Sequence, residues 1–257
     1  MADHGRMRLG RQSPRPTPLL PSILTYTARA PLPEAPATID WSENIEWPLL
    51  ANDRVGDCTC AAVLHYAQAA ERWHDGVGRP ASDAEAVAAY SSVSSYEPQR
   101  PETDTGALIS VVLEHWHNAG FAAPGGNNRI SALVRLDPGD AAQLRQALWL
   151  FGPLIIGARL PLAAQTQQRW TAPLDLAGVN APGSWGGHCM LLTGWHDAVS
   201  VNLITWGDVK VADPGWIATY CDEAWAVLHP TWIASGKSPS GWLVETVIAD
   251  MQELADQ

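Results

Sequence analysis

Asn52-Asp53-Arg54-Val55-Gly56-Asp57-Cys58-Thr59-Cys60-Ala61-Ala62 places a cysteine where a helix is expected to begin. From Thr59 to Arg72, Ala, Val, Leu and Tyr recur at helical spacing, and Asp57 is suited to the N-cap just before them. The first turn of a helix carries N–H groups with no intrahelical acceptor, and the helix dipole adds positive potential there. Both favour thiolate over thiol, so the spacing predicts a lowered pKa for Cys58. A thiolate in that place is a nucleophile if a histidine can take its proton and return it. Cys58 and Cys60 read equally well as small apolar residues at a buried helix start, and this stretch alone does not separate the two.

Working outward, three more helices are expected: Asp83 to Ser94, Thr105 to Asn118 closed by Gly120, and Asp140 to Leu150 ended by Gly152-Pro153. Short apolar strands then follow at Leu154 to Leu160, His188 to Trp195, Val199 to Trp206 and Glu223 to Leu228, with an amphipathic helix from Val244 to Leu254. Helices early and strands late predict an α+β fold, a helical half and a strand-rich half around one cleft. Residues 1–38 form a basic arm with Pro14, Pro16, Pro18 and Pro21, expected to run extended along the body or towards it; a propeptide that blocks the cleft is the functional alternative. Residues 39–257 then make one domain, mainly helical over 39–138 and mainly strand-rich, with the final helix, over 139–257.

Hydrophobic residues at 46% and charged residues at 17% describe a chain with a large core and exclude a disordered tail protein. Sixteen Lys and Arg against 27 Asp and Glu leave a formal charge of −11, which repels duplex nucleic acid and anionic membrane, so neither is an expected partner. No apolar run reaches the length of a membrane span, and the prolines of the arm interrupt any signal-peptide core; the expected location is cytoplasmic. The four cysteines are one close pair and two outliers, too few for a disulfide framework. Cys58, Cys60, His188 and Cys189 supply metal-ligand types, but adjacent His and Cys chelate poorly and the pair lacks the usual two-residue spacer. No metal and no cofactor is expected.

Gly183-Ser184-Trp185-Gly186-Gly187-His188 opens an apolar strand with a histidine directly after two glycines, which let other groups approach closely. A histidine at a strand start is ordinarily structural; what brings it to Cys58 is the order of blocks along the chain. Ile39-Asp40-Trp41 comes first, then Asn52 six residues before Cys58, then Thr105-Gly106 with Leu113 to Gly120. Leu144 to Leu148 with Gly152 to Ala158 is the fourth, and His188 to Gly194 with Leu203-Ile204-Thr205-Trp206-Gly207 the fifth. In that order they resemble the papain-like cysteine peptidases over nearly all of residues 39–228, in a bacterial or phage branch of that superfamily.

The resemblance implies Cys58 as nucleophile, His188 as general base and acid, and Asn52 in the oxyanion hole with the Cys58 backbone N–H. It makes Trp206 the indole that shields the histidine, and Trp206 and Trp185 candidates for lining the cleft. The chain departs from the family at Ile204, where the family has the asparagine that orients the histidine. Asn202, on the same face of the strand, is the candidate substitute, with Asp213 behind it. The expected chemistry is hydrolysis of a peptide or isopeptide bond through a Cys thioester, on a peptide or protein substrate. The alternative is a catalytically weak or inactive papain-fold binding or structural module, with phage or virion assembly among its settings.

Overall fold

The computed structural model describes residues 7–15, 34–123, 126–236 and 240. The expected final helix lies outside them. Three helices come early: α1 (Cys58–Asp75), α2 (Asp83–Val93) and α3 (Ile109–Asn118). Gly76 ends α1 at φ 76°, a left-handed conformation that glycine adopts without strain. Ser82 starts α2 with a capping box, its side chain accepting from the Glu85 N–H while Glu85 accepts from the Ser82 N–H. Helix α3 begins four residues later than expected from the sequence, at Ile109 rather than Thr105. Gly106 sits at φ 77° and gives its N–H to the Tyr90 hydroxyl, which holds the preceding loop out of the helix.

The rest is built on an antiparallel sheet of seven strands, in the order β4 (Ala132–Leu136), β9 (Cys221–Leu228), β5 (Leu154–Leu160), β6 (Gly186–His196), β7 (Ser200–Thr205), β8 (Asp208–Ala212), with β1 (Thr38–Asp40) also paired to β6. A two-stranded ribbon, β2 (Phe121–Ala123) and β3 (Gly126–Asn128), follows α3. Helix α4 (Ala141–Phe151) is capped by Asp140, which accepts from the Gln143 N–H, and packs on the sheet; α5 (Pro214–Tyr220) and α6 (Pro230–Ser235) flank β9. The continuous apolar runs of β5 and β6 are buried along most of their length, as strands covered on both faces must be. The α+β expectation stands, with the helical half packed through α1 against β6.

Candidate active site

Two elements set the site. Cys58 is the first residue of α1, His188 the third of β6, and the Cys189 backbone N–H donates to the Cys58 sulfur. Cys58 therefore lies against the residue that follows His188. The His188 ring is fixed from two sides: Nε2 is 2.7 Å from Thr205 Oγ1, and the Trp206 indole stacks on it at 4.3 Å with 20° between the planes. Trp206 reaches that position through a left-handed backbone, φ 49°, followed by Gly207 at φ 72°. The other ring nitrogen, Nδ1, is buried and has no hydrogen-bond partner among the described residues. With its Nε2–H given to a hydroxyl, such a ring keeps a free lone pair on Nδ1.

The ring partner is Thr205, not Asn202. Leu192 pairs with Leu203 and Leu191 with Ile204, which carries the register on to Met190 opposite Thr205, on the same face as His188. Asn202 is across from Gly194, beyond a bulge, and its amide donates to Asp40 Oδ2 at 3.1 Å. Ile204 is buried on the opposite face, and Asp213 accepts from Arg169 Nε at 2.7 Å. Strand alternation decides this, because the hydroxyl-bearing residue is the one whose side chain turns to the histidine.

Asn52 is buried in the turn before α1, where its amide nitrogen donates to Val55 O and to Asp57 Oδ1, each at 3.1 Å. Asp57 occupies the N-cap position without capping; burial raises its carboxyl pKa to about 8, and its Oδ2 has no hydrogen-bond partner among the described residues. Trp185 is half-buried and tilts against Trp206 with ring centres 5.3 Å apart. All four cysteines are buried free thiols, and among the described residues no three His, Cys, Asp or Glu form a metal-binding group.

Between these elements runs the N-terminal arm. The Arg8 N–H donates to Asn52 O (3.1 Å), and Arg8 O accepts from Trp206 Nε1 (3.3 Å). Gly10 O accepts from the Ala107 N–H (2.8 Å), the Arg11 N–H donates to Gly187 O (3.2 Å), and the Gln12 N–H to Ala107 O (2.9 Å). The Gly10 N–H is directed at the Cys58 sulfur. Gly10 is an obligatory glycine, since a Cβ there would stand 1.7 Å from Gly56 O. Arg11 is drawn fully inside, its guanidinium paired with Asp222 and, at 3.0 Å, with Glu223.

This cover reverses the expectation for Cys58. Burial pushes its pKa up to about 12, outweighing the N–H groups of Cys189 and Gly10 that favour the thiolate. Burial, with the Arg11 charge adding to it, lowers His188 to about 3. With the arm seated, both groups are held in their neutral forms, thiol and imidazole.

No protein-family model matches the chain, and no curated protein matches its sequence. Solved structures do. Xylellain, a cysteine protease from Xylella fastidiosa, is 15% identical with a TM-score of 0.60, over 87% of this chain and 96% of that one. ProCathepsin B S9 from Trypanosoma congolense is 13% identical with a TM-score of 0.58, over 89% and 88%. Digestive procathepsin L 3 of Tenebrio molitor is 13% identical with a TM-score of 0.57, over 87% and 76%.

The fold is papain-like. At these identities the likeness carries the architecture alone, and the residues carry the rest. Within the papain-like frame, three groups escaped the sequence reading. Thr205 was hidden because only the register shows which face it takes. Gly10 and Arg11 were hidden because their contacts lie far along the chain. The adjacent acids Asp222 and Glu223 were visible as charge, but nothing local tied them to Arg11.

Proposed function

We propose that the chain is a cysteine peptidase-like hydrolase held latent by residues 8–12 of its own arm. The observation that carries this reading is the His188 ring, anchored through Nε2 on Thr205, roofed by Trp206, left with a buried Nδ1 that has no partner among the described residues, and followed in the chain by Cys189, whose N–H meets the Cys58 sulfur. In the open cleft, the Cys58 thiol would give its proton to His188 Nδ1 and the sulfur would attack the carbonyl carbon of a peptide or isopeptide bond. The Cys58 backbone N–H and the Asn52 amide would face the oxyanion, Asn52 giving up a bond to Val55 or Asp57 to do so. His188 would pass its proton to the leaving amine, and water would then cleave the thioester in the reverse sense. Thr205 is a positioning residue in this scheme.

The arm is built as a cover rather than as a substrate. It turns the Gly10 N–H to Cys58, while the carbonyls of Arg8 and Gly10 are held by Trp206 and Ala107. A second reading, a papain-fold binding module with a weak site, draws on the burial of Ile204 at the family's asparagine position and on the engagement of Asn52 with Asp57.

Intact mass after exposure to a papain-class epoxide decides between them, on wild type, Gly10→Val, Gly10→Val/Cys58→Ala and Gly10→Val/His188→Ala. The peptidase reading expects a single adduct in Gly10→Val that needs both Cys58 and His188. No adduct on folded Gly10→Val, or adducts spread over the four cysteines, favours the binding module.

A further inference from the structure

We propose that the pocket filled by Arg11 is a substrate-selecting subsite for a basic side chain, arginine above all, with Glu223 as its specificity-determining residue. The inference rests on the peptidase reading above and names the substrate class of that same cleft.

The pocket is built for a guanidinium. Its floor is Gly157, where a Cβ would stand 2.2 Å from Arg11 Nε and 2.6 Å from Cζ. At its mouth is Gly187, where a Cβ would stand 2.2 Å from Arg11 O. A side chain at Gly157 would close the pocket to a guanidinium, and one at Gly187 would push away the backbone that delivers it.

Its wall is acidic for a structural reason. Successive residues of a strand face opposite ways, so neighbouring carboxylates do not normally share a pocket. Here the pairing of β5 with β9 slips: Gly157 pairs with Glu223 and Ala158 with Cys221, which leaves Asp222 as the extra residue of a bulge. The bulge turns Asp222 and Glu223 to the same guanidinium.

The charge balance calls for a cation. Glu223 has a side chain only 4% exposed, and apart from Arg11 its donor is Trp225 Nε1, 2.9 Å from Oε1. An empty pocket would leave a buried carboxylate with a single neutral donor among the described residues, a state strongly penalised in a protein interior. A leucine in the pocket would impose that penalty in full. Both acids meet one guanidinium nitrogen, a contact that a lysine ammonium could also make, and it is the room over Gly157, taken up by Arg11 Nε and Cζ, that fits the planar arginine head better. The location also suits selection, because the residue next to Arg11 is the one whose N–H meets Cys58.

The test uses the full chain. Arg11→Ala empties the pocket, and agmatine is the probe for it. Agmatine should raise the melting temperature of Arg11→Ala in a dose-dependent way, and should do so neither for wild type nor for Arg11→Ala/Glu223→Gln. In parallel, three peptidyl epoxides that differ only in carrying Arg, Leu or Glu at the pocket-facing position are compared by the rate of Cys58 adduct formation. The Arg probe should label Arg11→Ala at least about tenfold faster than the Leu probe, and Glu223→Gln should bring the two near parity.

Equal Arg and Leu rates, with Cys58 labelled by both, overturn the selectivity and leave the peptidase reading intact. Agmatine binding with no probe reaching Cys58 overturns the peptidase reading, and the substrate role falls with it. No agmatine shift and no Arg preference make Glu223 a fastener for the arm alone. If Arg11→Ala does not fold, Arg11→Gln carries the same comparison, and the slow labelling of wild type gives the Arg to Leu ratio without any substitution.

Discussion

Arg11 and Glu223 are 212 positions apart in the chain and 3.0 Å apart in space, in a pair almost wholly withdrawn from water. Around that contact the arm lies across Cys58, His188 and Trp206 at once. The predictions follow from what each of these contacts holds.

Gly10→Val cannot be seated, because its Cβ would stand 1.7 Å from Gly56 O. Forcing side-chain atoms into a packed site costs about 1–3 kcal/mol, which converts to an open fraction about 5- to 150-fold larger. Epoxide labelling of Cys58 should accelerate by a factor in that range, followed by intact mass over time. An unchanged rate would mean that the arm does not limit access.

Thr205→Val keeps the shape and removes the hydroxyl from His188 Nε2, 2.7 Å away. The ring then has two unsatisfied buried nitrogens, a loss of about 1–3 kcal/mol in stability. Thr205→Ser should restore most of it. In a Gly10→Val background, Thr205→Val should also shift the pH profile of Cys58 labelling, which a purely structural role would leave in place.

Burial, with the Arg11 charge adding to it, lowers the His188 pKa to about 3, and release of the arm removes that charge and lets the ring return towards its ordinary value of about 6.5. A depressed histidine favours the closed form above its open-state pKa, and that advantage is lost as the pH falls towards 3. Below about 6.5, each pH unit should therefore favour release of the arm by up to about tenfold. Hydrogen exchange at the N–H groups of Arg8, Arg11 and Gln12 is the measurement: protection, corrected for intrinsic rates, should fall from pH 6.5 to pH 4. Constant protection would refute the linkage.

Asp57 has the opposite sign. Burial raises its folded pKa to about 8, above the unfolded value, so the folded chain binds the extra proton and stability declines as pH rises from about 4 to 8. Asp57→Asn removes that dependence. Its melting temperature should exceed that of wild type at pH 8 and approach it at pH 4.

Tyr90→Phe removes one hydroxyl that donates to Asp104 Oδ1 at 2.8 Å and accepts from the Gly106 N–H at 2.7 Å. The loop it fixes leads to Ala107, the backbone partner of the arm. Denaturant melts should register a loss of about 1–3 kcal/mol, and Cys58 should become easier to label.

The sequence carried the elements with a strong period. Strand β5 falls at Leu154–Leu160 as read from its apolar run, and α1, α2 and α4 lie within a few residues of expectation. Short segments were less legible. Asp208–Ala212 and Pro214–Tyr220 were not assigned, although Asp213-Pro214 is a readable helix start, since a five-residue strand and a seven-residue helix give little period to detect. The blocks around Cys58, His188 and Trp206 were visible because local sequence fixes them. Thr205 and the turn of Asp222 towards Arg11 were not, because each depends on a bulge that only strand pairing reveals.

Strand β1 ties the far end of the arm into the sheet through its pairing with β6, from Thr38 opposite His196 to Asp40 opposite Gly194. Cover and cleft thus belong to one chain, joined through the residues between Gln12 and Thr38, and closure is an intramolecular event with an effective concentration of its own. Dilution of the intact chain cannot release the cover. A single cut between Gln12 and Thr38 would turn closure into a bimolecular equilibrium, and the activity of the nicked protein would then rise as its concentration fell.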